Sequence, residues 1–274
     1  MSSVTRRDFV AGSTALLAGV WLAAPRAAEA QVGPASAGPP NPTLVEDLVA
    51  ANRILVDQGV LDGYGHVSAR HDRDPSRYLM ARSIAPELVT AADIMEYDLD
   101  SVPVDPRGRS VYLERFIHGE VYKARPDVKA VVHSHSPSVI PFGVSAAPLK
   151  PLYHMSAFLW EGVPVFDIRQ AAGGMTDMLV RNGSLGAALA RTLGSRAAVL
   201  MRGHGAVVVG VTLPQAVFRS VYMEVNAKLQ GQAMALGGPV TYLDPEEARR
   251  AELSLGGTLA RPWELWKRKA LRGQ

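Results

Sequence analysis

Three of the seven histidines in this chain stand where backbone geometry gives them a common target. His133-Ser134-His135 closes the run Ala130-Val131-Val132. In an extended strand residues i and i+2 point the same way, so both imidazoles reach one ion. The end of a strand, where a helix begins, is also where α/β proteins usually place a site. His204 lies in Arg202-Gly203-His204-Gly205, between β-branched runs at 198–201 and 207–209, and its flanking glycines permit a tight turn and close backbone approach. His-x-His alone is a weak signal, and a lone turn histidine is more often hydrogen-bonded than metal-bound; the three together point to a metal. The chain has no cysteine, which excludes disulfides, thiolate ligands and a cysteine nucleophile. Neutral imidazoles suit Zn, Fe, Mn or Co, and three of them leave coordination positions open for substrate.

The elements that must hold these residues alternate along the chain. Leu44, Leu48, Ala51, Ile54 and Leu55 mark an amphipathic helix, with Gly59 as its stop. Residues 67–70 and 78–81 predict two strands joined by the polar turn His71-Asp72-Arg73-Asp74-Pro75. Helical spacing runs over 113–123, 136–144, 176–193 and 214–236, and short β-branched runs fall at 128–133, 163–168, 198–201 and 207–209. No fixed period recurs, so a single α/β domain is expected over residues 44–244, with strand order left open. Residues 245–274, charged and carrying Trp263 and Trp266, predict a helical tail packed on something, a neighbouring subunit among the options.

Residues 1–30 read as an export signal. Thr5-Arg6-Arg7-Asp8-Phe9-Val10 precedes a short, modestly apolar run, and Ala28-Glu29-Ala30 supplies a small-x-small cleavage site. The paired arginines followed by Phe match the bacterial twin-arginine pattern, which implies passage of a folded protein through that machinery to the periplasm, with no membrane association after cleavage. A general secretory signal and an uncleaved anchor are the competing readings; the run is short for a spanning helix. Residues 31–43, with Pro34, Pro39, Pro40 and Pro42, read as a linker. The signal carries three of the 29 basic and two of the 26 acidic residues, so the rest of the chain is close to neutral. With no basic block, a nucleic-acid partner is excluded and a small-molecule substrate is expected.

Between Leu44 and Leu236 the sequence resembles the class II aldolase/adducin family. The resemblance rests on Gly65-His66-Val67-Ser68-Ala69-Arg70, on Glu114, on Ala130-Val131-Val132-His133-Ser134-His135-Ser136-Pro137, and on Gly203-His204-Gly205 followed by Gly210. It implies a three-layer α/β/α domain around a mixed or largely antiparallel sheet. It also implies a divalent metal, usually zinc, on His133, His135 and His204, and a homotetramer. Glu114 matches the family's glutamate, a ligand or the catalytic acid/base. His118, one turn further along the same helix face, reads as an orienter or substrate contact.

The departures from the family pattern bear on the substrate. Its sugar-phosphate members grip phosphate with a Gly-Asn, a Thr-Gly and a Ser-Ser pair. Here these become Gly65-His66, Ala81-Arg82-Ser83 and Tyr112-Leu113. A phosphate dianion needs several such donors together, so a non-phosphorylated substrate is expected. His66, Arg82, Ser83 and Tyr112 are candidates to read a carboxylate or phenol, with Arg82 as a bidentate partner or simply a surface strand residue. His154 stands near where family aldolases present a proton-donating tyrosine, so Glu114 and His154 are the candidate proton donors. The resemblance implies a carbon–carbon lyase that forms a metal-stabilised enolate. Decarboxylation of a hydroxylated aromatic acid, as in dihydroxyphthalate-type enzymes, and retro-aldol cleavage of a hydroxy-oxo acid both fit. A non-haem Fe(II) oxygenase and a non-catalytic scaffold like the adducin head are the readings from other classes.

Overall fold

The computed structural model describes residues 33–272, so the export signal read at 1–30 lies outside the described residues. The first helix, α1 (Pro42–Asp57), starts two residues before its apolar spacing does. Asn41 caps it by accepting from the Thr43 N–H, and Pro42 sits where a helix has no use for a backbone donor. Residues 33–40 have no secondary structure, as their composition predicts, yet they are tied down. The Ala37 N–H and the Ser36 hydroxyl donate to the Glu96 carboxylate at 2.8 and 2.6 Å, and Arg77 donates to the Ala35 carbonyl at 3.0 Å.

Seven strands follow: β1 (His66–Arg70), β2 (Arg77–Ala81), β3 (Ile94–Asp98), β4 (Ala130–Ser134), β5 (Val165–Phe166), β6 (Ala198–Met201) and β7 (Gly205–Gly210). They form one sheet in the order β3-β2-β1-β4-β7-β6-β5. Every neighbouring pair is antiparallel except β5 with β6, so the sheet is mixed and largely antiparallel, as expected. β4 and β7 lie in the middle and are buried throughout. That explains why Val131-Val132 and Val207-Val208-Val209 show no polar alternation: both faces are covered. The edge strand β3 is hidden from hydropathy by Glu96 and Asp98, and its own outer side is met by residues 102–104, which exchange backbone hydrogen bonds with Asp98 and Glu96.

The helices are α2 (Phe116–Ala124), α3 (Ile140–Val144), α4 (Ile168–Ala172), α5 (Gly183–Leu193), α6 (Leu213–Ala235), α7 (Pro245–Gly256) and α8 (Ala260–Leu271). One core joins Tyr78, Val131, Val199 and Val207 to Ile117 and Val121 of α2 and Leu189 and Leu193 of α5. The other joins Val67, Leu79 and Val132 to α1, α6 and α8. Successive strand residues thus serve opposite layers, and His133, in phase with Val131, faces the α2/α5 side.

Several elements are shorter than spacing alone suggests. The helix expected at 113–123 opens as a 3₁₀ turn, Leu113–Arg115, with Glu114 off helical geometry (φ −90°, ψ 19°) before α2 begins. The helix expected at 176–193 starts at Gly183, capped by Asn182, and 173–182 is loop. The helix expected at 136–144 is reduced to α3, because residues 136–139 form a turn. Only Val165 and Phe166 of the run 163–168 pair as a strand, since Asp167 then caps α4. In the tail, Trp263 and Trp266 are buried in the α1/α6 core and Lys267 pairs with Glu46 and Asp47 at 2.6 Å. The tail therefore packs its tryptophans into its own domain. Among the described residues no helix is long and apolar enough to cross a membrane.

Two glycines bring the site strands together. Gly65 (φ +85°) enters β1 where a Cβ would stand 2.9 Å from the His133 carbonyl, and a Cβ on Gly205 would stand 2.0 Å from the Ser134 carbonyl. The second clash is with backbone in the sheet centre and cannot be relieved by a rotamer. Gly205→Ala is therefore expected to lower stability by about 1–3 kcal/mol, the usual cost of overpacking. Denaturant titration checks this, and an unchanged midpoint would mean that β4 and β7 are less tightly apposed.

Candidate metal centre

Strand β4 ends by presenting His133 and His135, and the turn between β6 and β7, with Gly203 at φ +64°, presents His204 across from them. The kink before α2 turns Glu114 inward to meet them. One ligand atom from each of Glu114, His133, His135 and His204 falls within 4.8 Å of all the others. His135 Nε2 lies 3.1 Å from His204 Nε2, and a Glu114 oxygen lies 3.5 Å from His133 Nε2 and 3.4 Å from His204 Nε2. Ligands tetrahedrally placed about 2.0–2.1 Å from a zinc-like ion stand about 3.3 Å apart. The spacing fits, and so does the polar bookkeeping: His133 Nε2 is buried without a hydrogen-bond partner, which is costly unless an ion takes its lone pair.

The surrounding backbone fixes which nitrogen each imidazole offers. His133 Nδ1 donates to the Ala206 carbonyl at 3.2 Å and His204 Nδ1 to the Met178 carbonyl at 3.0 Å, leaving Nε2 of both as acceptor. The other Glu114 oxygen accepts from the Val180 N–H at 2.8 Å. The loop at 173–182 thus holds two of the four groups through main-chain atoms. Met178 adopts a left-handed backbone (φ 67°) to do so, a conformation costing about 1–2 kcal/mol for a non-glycine residue. Glu224 of α6 accepts from the Ser136 hydroxyl at 2.6 Å and the Ser138 N–H at 3.1 Å, fixing the turn that follows His135.

Charge is balanced inside the cluster. Burial opposes ionisation of Glu114, but His133 and His204 outweigh it and hold the carboxyl well below the usual range. Burial lowers His204 while Glu114 and the Met178 carbonyl raise it, with a net rise above 6.5. His135 is pushed down to about 4 by burial and by its imidazole neighbours, and His118 to about 3 by burial and by His133.

The remaining candidates divide into two groups. His66 lies against the centre, its ring 5.1 Å from that of His133, and His118 lies 2.6 Å behind it. Tyr112 packs its ring on His66 at 4.7 Å but turns its hydroxyl away to the Ile84 carbonyl. The others are elsewhere. Arg82 is paired with Asp93 at 2.6 Å, Ser83 is exposed and bonds the Ser110 strip through its backbone, and His154 is exposed on a 3₁₀ turn edge-on to Tyr153. A cavity of about 400 Å³ opens over Glu114, His133 and His135, walled by His66, Tyr64, Leu113 and Leu179. Tyr64, 72% exposed and 6.2 Å from the His135 ring, is a site residue that ligand spacing does not reveal; its position between Gly63 and Gly65 is the available sequence signal. Met178 and Val180 act through backbone atoms and carry no such signal.

Comparison with known proteins decides the family. Residues 46–231 match the class II aldolase and adducin N-terminal domain. The chain belongs to the class II aldolase/adducin family. It is 36% identical to the decarboxylase tropJ of Talaromyces stipitatus, across 84% of this chain and 94% of that protein. It is 32% identical to a 3,4-dihydroxyphthalate decarboxylase of Arthrobacter keyseri, across 78% of this chain and 87% of that one. An L-fuculose 1-phosphate aldolase from Glaciozyma antarctica superposes with a TM-score of 0.68 at 24% identity, covering 85% and 94% of the two chains, which shows the fold alone. The family and these decarboxylase relatives make the chain a lyase.

Because Glu114 and the Met178 carbonyl raise His204 above the ordinary imidazole value while burial holds His135 at about 4, His204 is the imidazole at which a proton competes first as pH falls. Metal affinity is expected to fall as pH drops from 7 to 5, by about one decade per unit for the one displaced proton. Calorimetric titration with Zn²⁺ at several pH values measures it, and a flat profile would remove His204 from the ligand set.

Proposed function

We propose that this protein is an exported, zinc-dependent decarboxylase of a non-phosphorylated, hydroxylated aromatic carboxylic acid. The observation that carries the reading is the cavity wall. Beside Glu114, His133 and His135 it offers Tyr64, Leu113, Leu179 and His66, a largely apolar surface suited to a ring, with no array of hydroxyl and amide donors for a phosphate among the described residues. The decarboxylase relatives support the same chemistry. The donor set of three imidazoles and one carboxylate suits zinc, and the family resemblance implies zinc and a homotetramer.

A divalent ion bound by His133, His135, His204 and Glu114 supplies Lewis-acid stabilisation of negative charge on the substrate's oxygens. The chain's own residues do the rest. Glu114, anchored through one oxygen by the Val180 N–H, uses the other to carry a proton from a substrate hydroxyl to the ring carbon from which carbon dioxide departs. Tyr64, Leu113 and Leu179 hold the ring and limit water around the carbanionic carbon. His154, exposed and outside this cavity, is left without a part in proton transfer within one chain.

The test is a screen of metal-loaded protein against hydroxylated aromatic acids and hydroxy-oxo acids, followed for carbon dioxide, aldehyde and pyruvate. Carbon dioxide from a dihydroxybenzoate-type acid is expected, with at least a hundredfold loss in Glu114→Gln and loss of both metal and activity in His135→Ala. Aldehyde and pyruvate without carbon dioxide would replace decarboxylation by retro-aldol cleavage, and full activity in His135→Ala would overturn the centre.

Export rests on Arg6 and Arg7. Replacing both by Lys is expected to leave the precursor in the cytoplasm of a bacterial host, judged by fractionation, while the parent chain reaches the periplasm. Equal periplasmic yield from both would point to the general secretory route.

A further inference from the structure

A line of buried polar groups runs inward from the cavity behind His66. His66 Nδ1 lies 2.6 Å from His118 Nε2, His118 Nδ1 lies 2.6 Å from Ser68 Oγ, and Ser68 Oγ lies 2.8 Å from the Tyr122 hydroxyl. None of the four residues is more than 4% exposed. Strand β1 sends His66 and Ser68 to one face, and α2 carries His118 and Tyr122 one turn apart. Two elements thus interlock through polar atoms in the middle of an apolar layer.

Each link holds one proton, and the inner end decides which way all of them point. Among the described residues the Tyr122 hydroxyl has Ser68 as its one hydrogen-bond acceptor, the Val131 backbone N–H beside it being a donor. A buried phenol proton with no acceptor is strongly disfavoured, so Tyr122 donates to Ser68. Ser68 then donates to His118 Nδ1, and His118 donates from Nε2 to His66 Nδ1. The remaining proton of His66 must sit on Nε2, which has no protein partner among the described residues, on a ring that lines the cavity. The opposite direction would strand the phenol proton. Burial also raises Tyr122 well above the ordinary tyrosine range, so the line does not release a proton at its inner end. It sets an orientation rather than conducting protons.

We propose that the His66 Nε2–H is the hydrogen-bond donor for the substrate's carboxylate, with His118, Ser68 and Tyr122 as positioning residues that lock its tautomer. Arg82, the cationic alternative, is engaged by Asp93 and does not line the cavity. A neutral donor suits a carboxylate that must leave as carbon dioxide. It aligns the group without the ground-state stabilisation that a guanidinium would give and that would have to be lost on the way to the transition state. This assignment rests on the aromatic-acid reading above.

The experiment compares 2,3-dihydroxybenzenesulfonate, whose anionic group takes the carboxylate's place but cannot leave as carbon dioxide, with catechol, which lacks it, as calorimetric ligands of the zinc-loaded full chain. His66→Phe is expected to weaken the sulfonate about tenfold or more, the worth of a hydrogen bond to a charged group, and to leave catechol within about twofold. His66→Gln, which keeps an N–H donor, is expected to recover part of the loss. Imidazole ¹⁵N NMR is expected to show His66 and His118 both protonated at Nε2, and Tyr122→Phe is expected to mix the tautomers without changing zinc content. Equal weakening of sulfonate and catechol, or a His66 protonated at Nδ1 in the parent protein, would overturn the proposal. Failure of both ligands to bind the zinc-loaded parent protein would overturn the aromatic-acid reading itself, and the carboxylate role with it.

Discussion

A buried carboxylate placed among imidazoles at the floor of an open cavity is the constraint around which this end of the molecule is organised. Glu114 stays ionised despite burial because His133, His204 and the Val180 N–H compensate it together. That requirement explains features that otherwise look like defects. The helix start is kinked so that its second residue turns inward, and Met178 tolerates a left-handed backbone so that its carbonyl can meet His204. Glycine stands at 205 because any side chain there would push β7 off β4. Each irregularity is local, and the regular sheet beneath supplies the rigidity that sustains it.

Strand phase separates the two jobs of the α2 side of the sheet. In β4, Val131 packs while His133, two residues on, offers a metal ligand; in β1, Ser68 carries a hydroxyl where the neighbouring strands place Met80 and Val131 beside it. A polar line set into an apolar layer is costly unless every member is satisfied. Here it is satisfied up to the cavity wall, where one nitrogen is left for a ligand. The same phase sends Val67 and Val132 to the opposite core, so the α1/α6 layer is sealed without regard to the chemistry.

How much of this was legible in the sequence depends on whether side chains or backbone carry the information. His133, His135 and His204 could be read because side-chain type and strand period coincide there, and Glu114 because of the family pattern. Strands β4, β6 and β7 announced themselves through β-branched runs, whereas β3 was masked by its acidic residues and the start of α5 by helical spacing that continues upstream into loop. The contributions of Met178, Val180 and Ala206 are main-chain groups, and nothing in the identity of those residues signals them. Arg82 shows the converse. Its type suits a carboxylate, but Asp93, eleven residues away and itself held by Thr90, takes its guanidinium instead. Trp263 and Trp266 suggested a partner by their size and charged surroundings, and only packing shows that the partner is α1 of the same chain.

The two ends of the sheet carry a consequence for self-association. β5 contributes two residues, and the outer side of β3 is occupied by residues 102–104. Short or covered edges offer no template for another strand. Copies of this chain therefore have little means of extending the sheet from one molecule into the next. Contacts between copies, where they form, fall to helical faces and loops, where side-chain fit rather than backbone pairing selects the partner.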